Sequence, residues 1–102
     1  MNKIRIGVFS YYLRNGGRAR ITSLLLNYLY RINIFNLYLF TTDLGFEKES
    51  EYYIESNIIR TNMKNYTITN LIKEVRKKKI DILIYQYSNS KSIKMLSNLY
   101  TI

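Results

Sequence analysis

Residues 4–9, Ile-Arg-Ile-Gly-Val-Phe, form an apolar run. A polar loop ending in Gly16-Gly17 follows, and an amphipathic stretch begins at Arg18. Strand, glycine loop, helix is how a parallel α/β domain starts. In such sheets the loop after the first strand lies at the carboxyl ends of the strands, where ligands bind. Paired glycines let backbone approach a ligand with no Cβ in the way. The helix behind them offers free N–H groups and a favourable dipole to an anion. With 102 residues there is room for one small domain.

The rest of the chain continues the alternation. The first helix is expected from Arg18, with Ile21, Leu24, Leu25, Tyr28, Leu29 and Ile32 as its inner stripe, and with Asn33 as its left-handed stop. Phe35–Thr41 reads as strand two. A polar connection around Gly45 leads past a short element at Tyr52-Tyr53-Ile54 to a short strand three over Asn57–Asn62. Helix two is expected over Thr67–Lys79, with Ile68, Leu71, Ile72 and Val75 inward and Arg76–Lys79 at its negative pole. Ile80–Tyr85 is nearly all apolar, as a strand covered on both faces would be. Ser88-Asn89-Ser90 then caps a last helix with Ile93, Leu96 and Leu99 or Tyr100 on its inner face. The order β-α-β-β-α-β-α with right-handed crossovers predicts an α/β fold, one half of a doubly wound parallel sheet in spatial order 3-2-1-4 with helices on both faces. The loops after strands one and four, residues 10–17 and 86–91, then flank one crevice. Strand four would be an apolar edge, a liability for a sheet. The sheet is therefore expected to continue in a longer protein or a partner, and the chain reads as truncated.

Composition narrows the chemistry. The chain has no cysteine and no histidine, so there is no disulfide framework, no thiolate metal site and no imidazole base. Glu47, Glu49, Glu51 and Glu55 alternate with other residues and carry no calcium-loop signature; no metal site is expected. The net charge is +9, from 16 Lys+Arg against 7 Asp+Glu. Such a charge invites a nucleic-acid or anionic-membrane partner. However, the abundance of Ile, Asn, Lys and Tyr matches AT-rich coding, so part of the charge reflects composition. The Arg76–Lys79 cluster is the candidate for peripheral contact with anionic lipid; nucleic acid is not favoured. Met1-Asn2-Lys3 runs straight into the first strand without a signal-peptide core. Ile21–Phe40 is too polar for a membrane span, so the cytoplasm is the expected compartment, with the inner membrane face as the peripheral variant.

Lys3–Ser10, the Asn15-Gly16-Gly17 loop, the Arg18–Leu29 helix and the Ile80–Tyr85 strand together resemble the N-terminal domain of GT-B-type glycosyltransferases, in particular the family-four nucleotide-sugar group. There the helix after the glycine pair usually begins Ala-Glu-Arg; here it begins Arg18-Ala19-Arg20, matching at Arg20 and lacking the acid at Ala19. The resemblance covers almost the whole chain and implies a Rossmann-like, acceptor-side half-domain. Its missing C-terminal partner domain would bind the donor and carry a paired-glutamate motif. The full enzyme would transfer a sugar from a nucleotide-sugar co-substrate to a saccharide or lipid-linked acceptor, with no essential metal or other cofactor; this chain alone would be inactive. By that resemblance Gly16 and Gly17 approach the donor diphosphate, where Arg14, Arg18 and Arg20 add positive charge. Tyr11, Tyr12, Tyr85, Gln86, Tyr87, Ser88 and Asn89 are the acceptor-side candidates. Each has a plainer alternative, namely a tight turn, a solvated helix turn, or capping and edge packing. Two other functions compete. An NAD-type Rossmann domain would use Asp43 after strand two but lacks the third glycine. A non-catalytic nucleotide- or nucleic-acid-binding α/β module would draw on Arg5-Ile6-Gly7-Val8-Phe9, a faint echo of an RNA-recognition strand.

Overall fold

The structure, a computed structural model, describes residues 3–10, 17–42 and 54–85, with backbone alone at 17–19. Six elements follow in chain order: β1 (Ile4–Ser10), α1 (Gly17–Ile32), β2 (Phe35–Thr41), β3 (Ile59–Asn62), α2 (Ile68–Lys77) and β4 (Ile82–Tyr85). The four strands are all parallel and lie in the order β3-β2-β1-β4. This is the Rossmann-like half-sheet expected from the sequence. The last helix expected around Ile93, Leu96, Leu99 and Tyr100 lies outside the described residues, as do Asp43 and Tyr52-Tyr53.

Strand alternation divides the core in two. Ile6 and Val8 of β1 join Leu37 and Leu39 of β2 beneath Leu26 of α1, with Ile54 and Ile58 from the approach to β3. Phe9, Tyr38 and Phe40 point the other way and pack with Met63, Leu71, Val75 and Ile80 on the α2 side. Because side chains alternate across a strand, these clusters occupy opposite faces, and α1 and α2 sandwich the sheet. Each buried Leu or Phe contributes about 1.5–3 kcal/mol before entropy is charged.

The phase of α1 differs from expectation. Thr22, Ser23 and Leu26 are the buried residues, whereas Ile21, Leu24, Tyr28 and Ile32 are exposed, Leu24 at 60% and Tyr28 at 65%. Leu25 and Leu29 are half-buried against the cluster. The reason lies in composition. Leu24, Leu25, Leu26, Tyr28, Leu29 and Tyr30 are apolar almost all round the helix, so periodicity alone does not select a face. Contact selects it: Thr22 Oγ1 lies 3.4 Å from Ser10 Oγ, and Asn27 Oδ1 accepts the backbone N–H of Glu55 at 3.0 Å. The small residues let the first turns of α1 close on the end of β1.

Element ends also move. Asn33 is left-handed (φ 59°), as expected. Strand three begins at Ile59 rather than Asn57, because the carbonyls of Ile54, Glu55, Ser56 and Ile58 turn toward Arg60. Its guanidinium donates to Ile54 O at 3.0 Å, Ile58 O at 2.8 Å and Glu55 O at 3.2 Å. Helix two ends at Lys77, and β4 begins at Ile82 rather than Ile80. Ile80 N–H donates to Val75 O and Lys79 N–H to Arg76 O, each at 3.1 Å, with Lys79 left-handed at φ 53°. That is a Schellman stop, in which the residue after the left-handed one packs back on the helix. Ile80 does so, sharing a core cluster with Val75.

Candidate functional site

In a parallel sheet every helix starts where a strand ends, so the carboxyl edge gathers the N-termini of both helices. β1 and β4 are neighbours in register, with Phe9 opposite Tyr85. From β1 the chain passes through α1 to β2 on one face; from β3 it returns through α2 to β4 on the other. The switch point is therefore the seam between β1 and β4. The segments leaving Ser10 and Tyr85 start from adjacent strands, about 4.8 Å apart.

Ser10 closes β1, fully buried beside Thr22, and Gly17 is the first residue of α1. Arg20, in the first turns of α1, is exposed; its carbonyl accepts the Ser23 hydroxyl at 2.9 Å. Tyr85 closes β4 and is half-buried. Its ring stacks on Phe9 at 5.3 Å between centroids, and Phe9 stacks on Tyr66 at 4.7 Å. The hydroxyls of Tyr66 and Tyr85 are 2.7 Å apart. Tyr66 directly precedes Thr67, whose side chain accepts the Asn70 N–H at 3.1 Å and caps α2. The aromatic trio thus ties the end of β4 to the start of α2. It was not foreseen, because Phe9, Tyr66 and Tyr85 are far apart in sequence. Tyr11, Tyr12, Arg14, Gly16, Gln86, Tyr87, Ser88 and Asn89 lie outside the described residues, as does the side chain of Arg18.

A second feature of this edge was also not foreseen. An open groove of about 460 Å³ beside β3 and the first turns of α2 is lined by Asn62, Lys64, Asn65, Asn70, Lys73 and Glu74, over Met63. Glu74 is engaged by Lys78 at 2.7 Å, which holds its carboxyl below the usual range. The polar run Asn62-Met63-Lys64-Asn65 after a strand is the signal that could have marked it. The carboxyl edge therefore presents amides, hydroxyls and ammonium groups. Among the described residues no three His, Cys, Asp or Glu side chains converge as metal ligands, and no helix is long and apolar enough to cross a membrane.

In comparisons with known proteins, no family model matched the chain, and neither a curated protein nor a solved structure matched it. What the arrangement establishes is a Rossmann-like α/β half-domain whose switch point lies between β1 and β4.

Proposed function

We propose that this chain is the acceptor-side half of a nucleotide-sugar-dependent glycosyltransferase, completed by a donor-binding domain. The observation that supports it is the seam between β1 and β4, where two adjacent parallel strands end at a switch point. Sugar transfer from a nucleoside diphosphate builds negative charge on the leaving diphosphate. Backbone amides at Gly16-Gly17, the start of α1 and the guanidinium groups of Arg14, Arg18 and Arg20 meet that charge without a metal. Tyr85 at the end of β4, with Gln86, Tyr87, Ser88 and Asn89, is the acceptor-side set of this reading. Lys64, Lys73 and the groove amides make the same edge receptive to anionic and hydroxyl-rich ligands. The donor sugar is selected by the other domain, so this half binds weakly and does not turn over alone.

The test is a nitrogen-15 titration of the chain with a uridine diphosphate sugar, free pyrophosphate and reduced NAD. Amide shifts at Ser10, Gly16, Gly17 and Tyr85 with the first two, weakened in Arg20→Gln, are expected. Shifts confined to other regions, or a stronger response to the dinucleotide, overturn the assignment.

A further inference from the structure

We propose that the amino-terminal edge of the sheet, opposite the ligand edge, docks on an anionic lipid surface. Parallel topology sends every strand start and both helix C-termini to this edge. Ile4 opens β1, Ile34 precedes β2, Ile82 opens β4 and Ile32 closes α1; they are exposed by 47%, 57%, 48% and 40%. Ile4 is registered with Phe35, so Ile34, one residue earlier, lies diagonally across from Ile4, just ahead of the neighbouring strand. Ile82 is level with Ile6, two residues deeper. It stays open because β4 is the outer strand of the described sheet. Single exposed isoleucines need no explanation, but several on one edge of a small domain mark a contact surface.

The cations occupy the same edge. Arg31 lies in the last turn of α1, Arg76 and Lys77 in the last turn of α2, Lys79 just beyond, and Lys3 ahead of β1; all five are exposed. Lys3 and Arg5 are tied to this edge. Lys3 Nζ donates to Asn33 Oδ1 at 3.2 Å, and the Arg5 guanidinium donates to Lys78 O at 3.1 Å. Arg5 N–H donates to Asp81 Oδ2 and Asp81 N–H to Arg5 O, both at 2.8 Å, which fastens the end of α2 to β1. The acids among the described residues are Glu55, Glu74 and Asp81. Asp81 accepts the Arg5 backbone N–H, Glu74 pairs with Lys78, and the Glu55 N–H donates to Asn27 on the flank toward β3. The helix dipoles account for cations at helix ends but not for the isoleucines beside them. Among the described residues this edge carries five exposed cations against the one exposed carboxylate of Asp81; exposed apolar residues beside such a surplus are what an anionic bilayer surface attracts, by insertion and by charge together. RNA would engage the cations and leave the isoleucines idle.

Co-sedimentation with vesicles decides it. The chain is expected to pellet with phosphatidylcholine vesicles that contain phosphatidylglycerol and to remain in solution with phosphatidylcholine alone. Neutralising Arg76, Lys77 and Lys79 to Gln lowers partitioning on the order of fivefold per cation. Ile34→Ser lowers it as well. Lys64→Gln with Lys73→Gln, at the other edge, leaves it unchanged. The chain has no tryptophan, so Ile34→Trp reports insertion, with its emission moving to shorter wavelength on the anionic vesicles. Unshifted emission, equal losses from charge removal at either edge, equal binding to neutral vesicles, or an edge that binds oligouridylate and ignores Ile34→Ser overturns the proposal. None of these outcomes depends on the sugar-transfer reading, whose probes act at the opposite edge.

Discussion

Gly7 shows how one residue sets the packing of the central strand. A Cβ there would lie 2.8 Å from Phe40 Cε2 and 3.2 Å from Ile80 Cγ2. Phe40 is fully buried and Ile80 nearly so, so neither can swing into solvent. Glycine in a strand interior often marks such a close approach, and here it lets a ring and a branched side chain close over β1. Gly7→Ala is expected to cost about 1–3 kcal/mol, read from the midpoint of urea unfolding. A midpoint equal to that of the parent would mean that Phe40 has room to yield. Lys79 makes the opposite case. A left-handed conformation costs a non-glycine residue about 1–2 kcal/mol, more than the roughly 0.5–1 kcal/mol that glycine loses in chain entropy. Lys79→Gly is therefore expected to raise stability by about 0.5 kcal/mol in the same measurement.

At the scale of the element, α2 and α1 contrast. In α2 the apolar residues keep to one side, Leu71 and Val75 are buried, and Ile68 and Ile72 pack at the margin. The Glu74–Lys78 pair spans one turn with the acid N-terminal, the favourable order, and supports α2 by about 0.3–0.5 kcal/mol. The hydrogen bond from Lys78 lowers the Glu74 pKa in the folded state. The contribution is therefore present above the unfolded value, about 4.3, and is lost as pH falls through the folded one. Glu74→Gln should destabilise the chain by a few tenths of a kcal/mol at neutral pH and be indistinguishable from the parent once the pH has dropped below the folded pKa. A pH-independent difference would point to packing instead. In α1 the apolar residues surround the helix, and its orientation comes from Ser10, Thr22 and Asn27.

At the scale of the whole molecule, parallel topology separates two surfaces. Groove-lining amides and both helix starts collect at the carboxyl edge, and isoleucines and cations collect at the amino edge. The seven residues of β1 set these edges roughly 23 Å apart. With the amino edge on a bilayer, the seam between β1 and β4 faces away from it. The nitrogen-15 titration and the vesicle experiment address the two edges independently, so each can fail without the other.

Much of this layout was legible along the chain because it follows from short-range patterns. Alternating apolar runs specify strands, and the lengths between them specify parallel crossovers, which leave the 3-2-1-4 order as the natural solution. Asn33 announces the end of α1 by its own chemistry, whereas Thr67, expected as the first residue of helix two, is its N-cap. Other features needed the third dimension. The inner face of α1, the Arg60 clasp on residues 54–58 and the Phe9–Tyr66–Tyr85 trio depend on contacts between residues distant in sequence. So does the reassignment of Lys79 and Ile80 from helix and strand to a Schellman stop, since Arg5 and Asp81 fix where β4 joins the sheet. The sequence by itself determined which segments become strands and helices, because that choice is made by local periodicity and capping. Tertiary structure decided which side of each segment turns inward, because burial depends on what the partner across the sheet leaves room for.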